Sequence, residues 1–155
     1  MNQEKTGQLI DVQRENQKMF FPLHFHSTRS ISSGELILRL AVFGTYLGHG
    51  VFALAIKQSW IPLITAFGFS KETAITLLPL IGFHDIIIAF VVMIIPFRSV
   101  LIWATIWAFA TALSRPVSGE PFAELIERTA NWGAPLALLI LQGFPKTMKD
   151  LIRIR

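Results

Sequence analysis

Apolar residues gather into four long runs separated by short polar breaks, the pattern of helices that cross a lipid bilayer. The first run, Leu36 to Ile56, carries Arg39 near its start and His49 beyond its middle, and about twenty such residues cross ~30 Å of hydrocarbon. The second runs from Thr73 to Ile95; Ser70 and Thr73 are its cap residues, Pro96 stops it, and Pro79, Gly82, His84 and Asp85 mark it internally. The third, Ser99 to Leu113, is shorter and ends at Arg115-Pro116. The fourth begins near Pro121, a favoured first-turn residue, and runs to Phe144, with Gly143 and Pro145 at its close. Between the first two runs, Trp60 to Phe69 is apolar but too short to span, and Pro62 and Gly68 interrupt it, which predicts an interfacial or re-entrant segment.

These elements predict an all-α fold, a transmembrane four-helix bundle with that short segment between helices 1 and 2. Three parts follow: a polar N-terminal tail over 1–34, a four-helix membrane domain over 35–145 and a basic C-terminal tail over 146–155. Composition agrees, since 52% of the 155 residues are hydrophobic and 15% charged, a balance too apolar for a small soluble domain. The surplus apolar surface must face lipid, the first partner the chain implies.

Charge then orients the spans. Lys5, Arg14, Lys18, Arg29, Arg39, Arg98, Lys146, Lys149, Arg153 and Arg155 share one side of a four-span chain, while Lys57, Lys71, Arg115 and Arg128 lie opposite. The positive-inside rule puts the first set, and both termini, in the cytoplasm. The net charge of +4 is therefore a matter of topology; no basic, aromatic-studded face points to nucleic acid. The tail from Met1 to Gly34 lacks the order of a signal peptide and reads as a cytoplasmic segment. With no cysteine in the chain, disulfides, thiolate catalysis, iron–sulfur clusters and Cys-ligated zinc are excluded.

Ionisable groups inside a bilayer are costly, so each is a candidate for function. His84 and Asp85, descending about ten residues from the outer face, reach a depth within one turn of His49. Three readings of the pair of histidines stay open. Each makes an interhelical hydrogen bond, with Asp85 a candidate partner for His49; or the pair handles a proton or a quinone beside the carboxylate; or the two imidazoles ligate a haem, which nothing else in the chain supports. At the outer ends of helices 3 and 4 stand Arg115, Glu120, Glu124, Glu127, Arg128 and Asn131; the last four recur at spacings of three and four and form one polar stripe that would not face lipid. Arg115, Glu127 and Arg128 read either as a structural ion-pair network or as a charged, outward-opening ligand pocket.

Gly44-Thr-Tyr-Leu-Gly48 and the strip Ala104, Ala108, Ala112 suit close helix packing within one bundle first, and a homodimer or a partner membrane subunit second. Trp103 and Trp107, one turn apart, read as bundle or lipid contacts. His24-Phe-His26 has the spacing of a metal pair but no further ligand nearby, so no metal site follows. No phosphate loop, dinucleotide fingerprint, nucleophile elbow or zinc-protease helix is present.

Arg39, Leu47-Gly-His-Gly50, Ile81-Gly-Phe-His-Asp85, Arg115-Pro116 and Glu127-Arg-Thr-Ala-Asn-Trp-Gly-Ala-Pro135 together resemble a DoxX-like membrane protein, over about residues 35 to 145. The resemblance implies a small four-helix protein of a bacterial inner membrane. The family takes its name from a subunit of a thiosulfate:quinone oxidoreductase, so it also implies an accessory or quinone-linked electron-transfer role. The candidate pocket, His49, His84, Asp85, Arg115, Glu127, Arg128 and Asn131, rests instead on the convergence of titratable and polar groups at similar depth. The resemblance carries over no catalytic residue, and the cofactor stays unassigned, with quinone ahead of haem. The alternative is a non-enzymatic membrane protein, a small-solute carrier or an assembly partner, whose buried polar residues are structural.

Overall fold

The computed structural model describes residues 31–152; the polar tail with its His24-Phe-His26 pair, and the last three residues, lie outside them. The described residues are helical and contain no strand. Three helices are long and apolar enough to cross a membrane: α1 (Ser33–Leu54), α3 (Lys71–Ile94) and α4 (Arg98–Val117). A short α2 (Ile61–Thr65) follows a 3-10 turn at Gln58–Trp60, and α5 (Ala123–Glu127), α6 (Thr129–Gln142) and a second 3-10 turn at Met148–Leu151 complete the order.

Local chemistry sets these limits. Ser32 accepts a hydrogen bond from the Glu35 amide and Ser70 from the Thr73 amide, the side-chain caps that helix N-termini require. Pro96 follows the end of α3, as expected. The third helix departs from expectation, because α4 runs through Pro116 to Val117. A proline in the last turn removes a single intrahelical bond, and the chain turns only at Gly119, where φ is 93°.

The fourth expected helix is two helices. Arg128 is at once the last cap of α5 and the first of α6, and its guanidinium donates back to the Glu124 carbonyl at 2.7 Å, ending α5. Consequently Glu124 and Asn131 do not share one straight polar stripe. The 14 residues of α6 rise about 21 Å, whereas the 22 of α1 rise about 33 Å.

Packing is uneven. α1 lies along α3, α4 along α6, and α1 also meets α6, while α3 and α4 touch sparingly. Val42, Tyr46, Ile88, Val92, Leu101, Ala104, Ala108 and Leu138 form the main core, so the alanine strip of α4 is an interior seam. A smaller core of Ala53, Ile61, Ala74 and Leu78 seats α2 against α1 and α3. Outward, Leu80, Phe83, Ile87 and Ile94 of α3 are each about 60% exposed or more, which in a helix of mean hydropathy 2.4 suits contact with acyl chains and not with water.

The close helix crossing is not at the glycine pair the sequence singled out. A Cβ at Gly44 or Gly48 would meet nothing within 4 Å. Instead Gly50 of α1 faces Gly82 of α3: a Cβ on Gly82 would lie 2.8 Å from the Gly50 carbonyl oxygen and 2.9 Å from the Leu54 nitrogen, and one on Gly50 would lie 2.9 Å from the Gly82 carbonyl oxygen. Backbone meets backbone there, which only glycine permits.

Candidate functional site

Where α3 and α4 stand apart, a cavity of about 430 Å³ opens between them, with α2 and His49 of α1 completing its wall. The volume falls in the range of small-molecule sites. Its surface is mostly apolar and aromatic, with Trp60, Phe67, Phe69 and Trp107 among the rings. Polar groups enter at defined places. On α4, Trp107, Thr111, Ser114 and Arg115 lie on one face by their three- and four-residue spacing, and all line the cavity. Asp85 comes from α3, and Arg128 from the α5–α6 junction.

Asp85 is 4% exposed and its Oδ1 accepts two N–H bonds, from the Trp107 indole at 2.8 Å and from His84 Nδ1 at 3.0 Å. His84 Nε2 in turn accepts from the Trp103 indole at 2.6 Å. The two indoles stack with centroids 6.0 Å apart, and the imidazole stands edge-on against both. This quartet ties α3 to α4 where they otherwise barely touch. Sequence reasoning named His84 and Asp85 but assigned the two tryptophans to general packing; the signal available was an indole pair one turn apart, donor-only groups, facing an adjacent histidine and aspartate.

His49 and His84 do not come together. His84 faces a separate apolar groove between α3 and α4, lined also by Phe83, Val91 and Trp103, whereas His49 lines the cavity. The hydrogen bond weighed between His49 and Asp85 does not form; Asp85 takes its partners from its own neighbour and from α4. His49 packs edge-on against Trp60, centroids 5.5 Å apart. Trp60 holds a buried Nε1–H without a hydrogen-bond partner among the described residues, and Lys57 lies 5.3 Å from the centre of its ring. The turn that delivers Trp60 passes through Ile56 at φ 50°, a left-handed conformation costly for a β-branched residue.

The charges after α4 and around the α5–α6 junction fall into two groups that share no ion pair, Arg115 with Glu120 and Arg128 with both Glu124 and Glu127. Arg115 donates to both carboxylate oxygens of Glu120, at 2.9 and 3.0 Å, and Arg128 pairs with Glu124. Glu127 stands 3.5 Å from Arg128 with its side chain 73% exposed; neither it nor Asn131 lines the cavity. Of the seven expected pocket residues, His49, Asp85, Arg115 and Arg128 meet at one cavity, His84 hydrogen-bonds to Asp85, Glu127 pairs with Arg128 without lining the cavity, and Asn131 stands apart.

Comparison of the chain with known protein families, with curated proteins and with solved structures finds no match.

Proposed function

We propose that the protein is a four-helix integral protein of a bacterial inner membrane, DoxX-like in kind, that holds a quinone-type ring compound in the cavity between α3 and α4 as an accessory or electron-transfer component. The observation that carries this reading is one aromatic-walled cavity, with Trp60 and Trp107 among its rings, into which His49, Asp85, Arg115 and Arg128 all enter. A few polar groups set in a mostly apolar wall orient a ligand that carries oxygen atoms on an apolar ring. The aromatic wall, with Trp60, Phe67, Phe69 and Trp107, suits a flat ring compound.

Four crossings with both termini cytoplasmic form part of the proposal. What supports a crossing by α6 is that its C-terminal carbonyls, at Gln142 and Gly143, accept from Arg98 at the start of α4, which returns the chain to the level where α3 ended. The α5–α6 break at Arg128, a charged junction, then belongs at the outer interface, and α2 with Trp60 and Lys57 is an interfacial or re-entrant plug.

Purification of the full chain with its lipids tests the ligand. The protein retains quinone in the wild type, and Trp60→Phe and His49→Ala variants that stay folded retain at least fivefold less; equal retention by all three counts against the cavity as the site. A second reading rests on the Trp103–His84–Asp85–Trp107 quartet, whose bonds join two helices: a non-enzymatic carrier or assembly partner in which these residues are a lock. In that case the wild type carries no quinone, while Asp85→Asn still lowers stability.

A further inference from the structure

We propose that the cavity selects the hydroxyl-bearing, reduced form of its ligand over the carbonyl form, with Asp85 Oδ2 as the acceptor and Trp103, His84 and Trp107 as the residues that position it. The inference rests on the quinone-type reading above and names which form of the ligand that site prefers.

Direction along the hydrogen-bond chain carries the argument. An indole Nε1–H donates and never accepts. The bond from Trp103 to His84 Nε2 at 2.6 Å therefore leaves that nitrogen without a proton, and the neutral imidazole carries its proton on Nδ1. Nδ1 faces Asp85 Oδ1 at 3.0 Å and donates to it, as does Trp107 at 2.8 Å. Every donor in the chain points at the carboxylate and none points away. Oδ1 is thus filled by two N–H groups, and Oδ2 has no partner among the described residues, on a side chain that lines the cavity.

The chain is also fenced against reversal. His84 stands edge-on to Trp103 and Trp107, ring centres 5.8 and 4.9 Å away, and the indoles stack on one another, so turning the imidazole requires both tryptophans to move. An acceptor oxygen fixed in a water-poor cavity favours a ligand O–H and opposes a ligand C=O, which would set two acceptors face to face.

A pair of probes on one bicyclic skeleton that do not interconvert, handled under anaerobic conditions, tests this: 1-naphthol, with a hydroxyl, and 1-tetralone, with a carbonyl. Binding of each to the full chain in lipid nanodiscs is measured by calorimetry against empty nanodiscs, which corrects for partition into lipid. The wild type binds 1-naphthol about tenfold more tightly than 1-tetralone. Asp85→Asn, nearly the same shape but with an N–H to offer, brings the two affinities to within twofold or reverses them. Trp107→Phe, which removes one donor from Oδ1 and keeps a ring in place, narrows the preference while both probes still bind. Equal affinities in the wild type, or a preference for 1-tetralone, overturn the inference and leave the pocket standing. Failure of both probes to bind above empty nanodiscs overturns the pocket and the inference together.

Discussion

Both ends of the helices carry arginines, and the two ends use them differently. At one end Arg39 and Arg98 are buried, 9% and 5% exposed. Arg98 donates to three backbone carbonyls, of Gly143 at 2.8 Å, Gln142 at 2.9 Å and Asp150 at 3.0 Å. Arg39 pairs with Glu35 at 2.6 Å and reaches the Met93 carbonyl at 3.4 Å. Each cation thus sits on the C-terminal carbonyls of a neighbouring helix, which lack intrahelical partners and form the negative end of its dipole. At the other end Arg115 and Arg128 pair with the side chains of nearby glutamates and face a cavity. At one end the arginines reach carbonyls of neighbouring helices and close it; at the other they bind partners only a few residues away in their own stretch of chain, around an opening.

The largest effect separates the two ends directly. Arg98→Ala strands three carbonyls that water reaches poorly and removes the link between α4 and α6, so unfolding in mixed detergent micelles shows a loss of about 3 kcal/mol or more. Arg115→Ala, which breaks an ion pair at a partly exposed site, changes stability by about 1 kcal/mol or less while weakening ligand retention. Equal losses at both positions would erase the distinction between a closed and an open end.

Next in size is the glycine crossing beside the cavity. Gly82→Ala sets a methyl against the Gly50 carbonyl and the Leu54 amide. Backbone atoms cannot rotate aside as a side chain can, so α1 and α3 are forced apart at a cost of about 1–3 kcal/mol. Gly44→Ala, with open space around it, is the matched control and is neutral or stabilising, since alanine is the better helix former by about 1 kcal/mol. The same micelle unfolding measurement reads both, and a loss at Gly44 comparable to that at Gly82 would show that the crossing lies elsewhere.

These pairs also show what the amino-acid order revealed and what it hid. Three membrane-length helices were legible within a few residues, because run length and caps such as Ser70 act locally. The break at Arg128 was not, since it depends on a guanidinium folding back onto a carbonyl one turn earlier, and the same residues satisfy the spacing of a continuous stripe. Gly44-x-x-x-Gly48 matched a packing motif, yet which glycine meets a neighbour depends on how α1 is rotated, a tertiary property. Depth alone brought His49 level with His84; their faces diverge, and depth carries no information about direction. Arg39 and Arg98 were read as orientation charges, and their backbone partners lie more than forty residues away in sequence.

The smallest expected effect lies at the closed end, outside the long apolar helices. Thr147 and Asp150 form a reciprocal capping box over the last 3-10 turn, and the Asp150 carboxylate accepts from the Lys146 and Thr147 amides at 3.1 and 2.9 Å. The bond from Thr147, with those amides and the nearby Arg98 charge, holds the Asp150 carboxyl below its usual range. A carboxylate whose folded value is depressed contributes stability above the ordinary range near pH 4, and that contribution fades as pH falls through the depressed value. Amide exchange at Lys146 and Thr147 is therefore slow at neutral pH, relative to the intrinsic rate, and loses protection in acid. Asp150→Asn abolishes that dependence. Because the Asp150 carbonyl is also a partner of Arg98, opening of the turn exposes one of the three bonds that close this end, and protection near Gln142 weakens in step. Protection near Gln142 that ignores both pH and Asp150→Asn would mean that the two α6 carbonyls alone hold Arg98, and that the terminal turn rests on the closed end without contributing to it.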